Sequence, residues 1–108
     1  MWMGSKKTPV LPYLAPMEIR NNPSARRFET EVDGEAAFIE YRMQGDIIAL
    51  LHTWVPPALE GRGIAGALAK WSLEWVKEHK VPLLVYCPYV KKWMEKHPEY
   101  DGLLQKPQ

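Results

Sequence analysis

The chain has 108 residues, about one domain at the usual ~100–200 residues per domain, with 46% hydrophobic and 25% charged residues. That composition excludes a disordered chain and a coiled coil, and no apolar run reaches the ~18–20 residues that span a bilayer. The 14 basic and 13 acidic residues leave a net charge of +1, so there is no electrostatic case for a nucleic-acid or membrane partner.

Residues 1–16 carry Gly4, Pro9, Pro12 and Pro16 without helical or strand periodicity. They are expected to form an extended arm that Tyr13 and Leu14 pin to a single domain over 17–108. Lys6 and Lys7 are not followed by an apolar stretch, so no secretory signal is expected. Met17 to Asn21 is a short strand candidate closed by the turn Asn22-Pro23-Ser24. Arg27 to Val32 alternates, with Phe28, Thr30 and Val32 on one face. Asp33-Gly34 predicts a tight hairpin into a strand from Glu35 to Met43, with Ala37, Ile39, Tyr41 and Met43 aligned. After Gln44-Gly45-Asp46, the run Ile47 to Val55 is apolar on both faces, which predicts a central strand covered on both sides. His52 falls there on the face of Ile48, Leu50 and Trp54.

Beyond Pro56-Pro57 the period changes to that of a helix. Ile64, Leu68, Trp71 and Trp75 form one stripe, and the helix is expected from Gly63 to His79, with Trp71 and Trp75 as core residues. Leu83 to Cys87 is a short apolar strand. Val90, Trp93, Met94 and His97 mark a second helix stopped by Pro98. Tyr100, Leu103 and Leu104 can dock the tail. A helical crossover between two strands favours a parallel pair. The fold class is therefore α/β or α+β: a mixed, mostly antiparallel sheet with helices packed on it.

The segment Val55 to Gly66 is the most informative for function. Gly61, Gly63 and Gly66 permit close backbone approach at the start of a helix whose first amides lack intrahelical partners. Such a terminus suits a phosphate or pyrophosphate, with Arg62 available for charge; a tight strand-to-helix turn would use the same residues. No Lys-Ser/Thr follows the glycines, so the loop is not a P-loop. Cys87 is the only cysteine, which excludes an internal disulfide and a cysteine zinc cluster and fits a reducing, cytoplasmic compartment. It precedes Pro88 at a helix start, where thiolate is favoured, though a lone cysteine is also commonly a small buried hydrophobe. His52 is either a core residue or a base for an ammonium or for the Cys87 thiol. His52, His79 and His97 show no metal-ligand spacing, and no metal site is expected. Lys91, Lys92, Lys96, Arg26 and Arg27 are either solvated charges or contacts for an anionic group.

Gly61-Arg62-Gly63-Ile64-Ala65, after an antiparallel meander and before a long helix, resembles the acyl-CoA loop of the GCN5-related N-acetyltransferases. Arg27-Phe28-Glu29, His52 to Pro56, Cys87-Pro88-Tyr89-Val90 and His97-Pro98-Glu99-Tyr100 extend the resemblance to the small, roughly 100-residue branch of that family. It covers about residues 18–104. The resemblance implies a splayed parallel pair, strands 47–55 and 83–87, with acetyl-CoA between them. It places pantetheine against the backbone of Thr53, Trp54 and Val55, the pyrophosphate over Gly61, Arg62, Gly63, Ile64, Ala65 and Gly66, and Tyr89 beside the cofactor. Glu60 stands where the family pattern has Gln or Arg, and its side chain is expected to point away from the pyrophosphate. The branch also places a cysteine at Cys87, near the thioester, as an acyl-accepting nucleophile or as part of the wall. Tyr86 and Tyr89 flank Cys87 and are either packing residues or proton donors to the leaving thiolate. The implied activity is acetyl transfer from acetyl-CoA to an amine or protein acceptor, directly or through Cys87. The alternatives are a CoA-binding module with little transfer activity and a protein-interaction domain with a Trp-rich surface.

Overall fold

The computed structural model describes residues 17–105, so the arm expected over residues 1–16 lies outside the described residues. In chain order the elements are β1 (Arg20–Asn22), β2 (Arg27–Val32), β3 (Glu35–Gln44), β4 (Ile47–Trp54), a 3-10 turn (Pro57–Leu59), α1 (Ile64–His79), β5 (Leu83–Val85), α2 (Pro88–Glu95) and a second 3-10 turn (Pro98–Leu103). The strands form one sheet in the order β1-β2-β3-β4-β5. The first four are antiparallel neighbours, and β4 and β5 are parallel across the α1 crossover. The mixed class read from the sequence is the observed one.

Local chemistry explains the element ends. Asp33 and Gly34 both adopt positive φ, 53° and 80°, as the tight turn between twisted strands requires. β1 is shorter than expected, starting three residues later and ending one residue later. Asn22 still pairs with Arg27 while its side chain accepts the Ala25 amide, so the strand residue itself closes the turn. α1 begins at Ile64 with Gly63 as its N-cap and ends at Lys80, which takes a left-handed conformation (φ 56°). α2 stops at Glu95, short of His97, because Lys96 and His97 close it with bonds to Trp93 and Met94 carbonyls. β5 ends at Val85 rather than Cys87.

A single core forms between the sheet and the helices. Phe28, Ala37, Ile39, Tyr41, Ile48 and Leu50 from the sheet meet Leu68, Leu73 and Val76 of α1 and Val90 and Met94 of α2. Each large apolar side chain buried this way contributes about 1.5–3 kcal/mol. Met17 and Ile19 pack against the same cluster without strand pairing. Trp71 and Trp75 lie on Phe28 at 5.7 and 5.2 Å between ring centres, as core residues rather than a surface patch. Both helices lie on this one face. The expectation that β4 is covered on both sides is therefore corrected: Arg42, His52 and Trp54 are exposed on the opposite face, where Ala49 is buried outside the main cluster.

Candidate active site

The β4–β5 ladder runs only from Ile48↔Leu83 to Leu50↔Val85. The Tyr86 and Cys87 amides then both donate to the Leu50 carbonyl, at 2.9 and 3.1 Å, which ends the ladder. Pro88 turns the chain into α2, while β4 continues to Trp54. Beyond Leu50 the two strands part.

A β-bulge sits at the same level. Tyr41 pairs with Leu50, but Glu40 pairs with His52, so Leu51 is an extra residue in β4. The bulge reverses the alternation of every later side chain. Ile48, Leu50 and Thr53 share the helix-covered face with Tyr41 and Ile39, whereas His52 and Trp54 share the open face with Glu40 and Phe38. This corrects the expected placement of His52 beside Ile48 and Leu50: it is on the opposite face from Cys87 and Thr53, and it is exposed. His52 is therefore not a base for the Cys87 thiol.

The bulge also brings Thr53 to the cysteine. Thr53 Oγ1 and Cys87 Sγ are 3.0 Å apart, across 34 residues of sequence. Cys87 is the N-cap of α2 with extended backbone (φ −71°, ψ 120°), and it is only 1% exposed. Its hydrogen-bond partner is a hydroxyl, which is no base at neutral pH. Tyr89, in the first turn of α2, has its phenol pushed above the usual range by burial and then by the neighbouring Cys87 sulfur. A phenol so placed keeps its proton.

The glycine loop borders the same region. Gly61 and Gly63 have φ of 83° and 77°, which side-chain-bearing residues rarely adopt, and a Cβ at either would meet nothing within 4 Å. The backbone there faces open space. Gly63 offers no capping side chain, and no acidic residue lies in the first turn of α1, so the amides of Ile64, Ala65 and Gly66 have no side-chain cap. Gly66 is helical. A Cβ there would sit 3.6 Å from both Tyr89 Oη and Trp93 Nε1, which sets the first turn of α1 against α2. Ile64 itself is buried, Ala65 is half-buried and Glu60 is exposed. Arg62 pairs with Asp33 of the β2–β3 hairpin at 3.0 Å in an exposed ion pair. Its charge is thus shared rather than free.

The remaining candidates lie elsewhere. Lys91, Lys92 and Lys96 are exposed along α2, and Arg26 is exposed in the turn before β2. Arg27 lies 4.2 Å over the Phe38 ring and 3.7 Å from Glu29. His79 and His97 stack on Trp75 and Trp93, each with Nδ1 2.8 Å from that tryptophan's carbonyl oxygen. A cavity of about 790 Å³ opens beside β1, lined by Met17, Arg20, Thr30 and Trp71 among others, and it includes neither Cys87 nor the glycine loop. Two relations escaped the sequence reading: the Thr53–Cys87 contact and the pairing of Glu40 with His52. The tight turn at 45–46 sets Gln44 opposite Ile47, and counting back along an unbroken ladder would put Glu40 opposite Leu51. Only the bulge changes that.

Comparison with known proteins agrees with this geometry. Residues 27–103 match the family described as GCN5-related N-acetyl-transferase. The chain is 34% identical over 86 residues to the human protein NATD1, covering 77% of this chain and 76% of that one. It is 34% identical over 86 residues to chicken NATD1, with 77% and 78% covered. The NMR solution structure of a GCN5-like protein from Staphylococcus aureus superposes with a TM-score of 0.65 at 24% identity, over 88% of this chain and 94% of that one. A sheet forked beside a glycine-started helix, together with the match over residues 27–103, makes this chain a member of the GCN5-related N-acetyltransferase family.

Proposed function

We propose that the protein is an acetyl-CoA-dependent N-acetyltransferase that passes the acetyl group directly to an amine. The observation that carries this reading is the fork between β4 and β5, with Thr53 and Cys87 in its crotch and an uncapped helix start beside it. The residues present fit acetyl-CoA. The open backbone at Gly61 and Gly63 and the amides of Ile64, Ala65 and Gly66 suit its pyrophosphate. The backbone of Thr53 and Trp54 in β4 and of Val55 just after it, which β5 does not pair, suits the pantetheine amides.

The chain's own groups then have distinct roles. Thr53 and Cys87 form the wall beside the thioester sulfur. Tyr89 holds its proton and supplies it to the leaving thiolate. Direct transfer is favoured over an acyl-Cys87 route because the thiol is buried and its partner is a hydroxyl. A free thiol suits a reducing compartment such as the cytoplasm.

Calorimetry with acetyl-CoA and a thiol-release assay with a panel of amines test this reading. Acetyl-CoA is expected to bind, and at least one amine to release CoA above the hydrolysis blank. A folded Gly63→Val variant should lose binding, because a β-branched residue cannot hold φ 77° without moving the loop. Binding without turnover across the panel would leave a CoA-binding module. Cys87→Ala should keep most of the turnover, and an acetyl adduct on Cys87 with activity lost in Cys87→Ala would establish the covalent route instead.

A further inference from the structure

The two lips of the fork each turn one set of side chains toward the helices and another set away from them. On β4, Thr53 faces the helices, while His52 and Trp54 face outward. On the other lip the alternation Leu83, Val85, Cys87 faces the helices, which sets Tyr86 outward with Leu84. The outward aromatics are well exposed: Trp54 43% and Tyr86 54%. Phe38, opposite Trp54 on β3, extends this aromatic floor.

The charges on the open face are distributed unevenly. Glu29 is committed, with Arg20 at 2.9 Å and Arg27 at 3.7 Å. Arg27 also caps the Phe38 ring. Glu40 stands between Arg27 and His52 in the sheet, yet it has no ion-pair partner among the described residues. Arg42 is one row further from the fork, opposite Ala49. A carboxylate with no ion-pair partner among the described residues, an imidazole across the ladder from it, and two exposed aromatics on facing lips form one set of groups. Aromatic faces attract cations, and a carboxylate does so more strongly.

We propose that the acceptor enters from this open face, and that it is a primary ammonium carried on an apolar stem. The proposal rests on the acetyltransferase reading above and names its acceptor. Trp54 and Tyr86 flank the stem, Glu40 holds the ammonium, and His52 takes one of its protons. The freed lone pair forms the C–N bond to the acetyl carbonyl carbon as the C–S bond breaks. The sulfur takes the Tyr89 proton, the nitrogen releases its surplus proton to water, Tyr89 is reprotonated from water, and His52 passes its proton to water to complete the cycle. On the helix side of the fork Thr53 and Cys87 are in contact at 3.0 Å, and Cys87 is buried in the core.

The test is an NMR titration of the intact chain with 2-phenylethylamine, using 2-phenylethanol as its uncharged match, alongside a separate titration with acetyl-CoA. The amine should shift the signals of Glu40, His52, Trp54 and Tyr86, and the alcohol should bind about tenfold more weakly or worse. Glu40→Gln should weaken amine binding about tenfold and leave the acetyl-CoA titration unchanged, and Trp54→Ala should weaken amine binding by a similar factor. His52→Gln should retain both ligands and lose turnover. Equal shifts with the alcohol, shifts confined to the helix side, or a Glu40→Gln variant that binds the amine normally would overturn the proposal. If acetyl-CoA binds and the amine leaves the open face unshifted, the acceptor site alone fails. If acetyl-CoA does not bind, the acetyltransferase reading fails, and the acceptor proposal resting on it falls too.

Discussion

Tyr100 ties the last turn of the chain to α1, its hydroxyl donating to Glu74 Oε2 at 2.6 Å. That hydrogen bond, then burial, then the charges of Glu74 and Glu99 push its pKa from 10.0 up to about 12. Because the folded value is the higher one, folding favours the neutral phenol. The stability it contributes is whole below pH 10 and is lost as the pH rises through about 12. Denaturant melts of Tyr100→Phe should therefore lack the alkaline loss of stability seen in the parent, on the order of 2 kcal/mol across that window. Glu29 behaves in the opposite sense. Burial alone would raise its pKa, but hydrogen bonds from Arg20 and Asn22 and the charges of Arg20 and Arg27 outweigh it and hold the carboxyl below 4.5. Its contribution is present above that value and fades as the pH falls through the depressed one.

Among the elements, α1 carries a correctable flaw. Lys80 closes it in the left-handed region, with its amide bonded to the Lys77 and Val76 carbonyls. Glycine has no Cβ to strain there, so Lys80→Gly should raise stability by about 0.5–1 kcal/mol in urea unfolding, whereas the same change at a helical position would lower it. The elements also differ in how far their residues announced them. The Asp33-Gly34 hairpin and the α1 stripe were legible because a turn chemistry and a period act over a few residues. The bulge at Leu51 was not, since no glycine or proline marks it; the parting of β4 from β5 and the two hydrogen bonds that the Tyr86 and Cys87 amides donate to the Leu50 carbonyl accompany it. Those are tertiary facts. The glycine loop was legible as a turn into a helix start, but Arg62 was not legible as the partner of Asp33, which lies on a distant hairpin. Cys87 was singled out by position, while its contact with Thr53 required the bulge to be known.

At the scale of the molecule, the described residues form two layers: one sheet and, against one of its faces, both helices. Side chains that alternate along β4 therefore belong to different regimes. Leu50 is fully buried in the core, and Leu50→Ala should cost about 2–5 kcal/mol by thermal or chemical unfolding. His52→Ala, two residues on, should stay within about 0.5 kcal/mol of the parent. A third layer across the open face would remove that contrast; equal losses at both positions would show the face to be covered in solution.

The far side of the sheet is thereby freed from the work of holding the fold together. Substitutions at Glu40, His52, Trp54 and Tyr86 can accumulate without eroding the folded population, because none of them belongs to the buried cluster. Under the function proposed above, relatives built on this scaffold would differ in the acceptor they take on this face and agree in how they hold the donor.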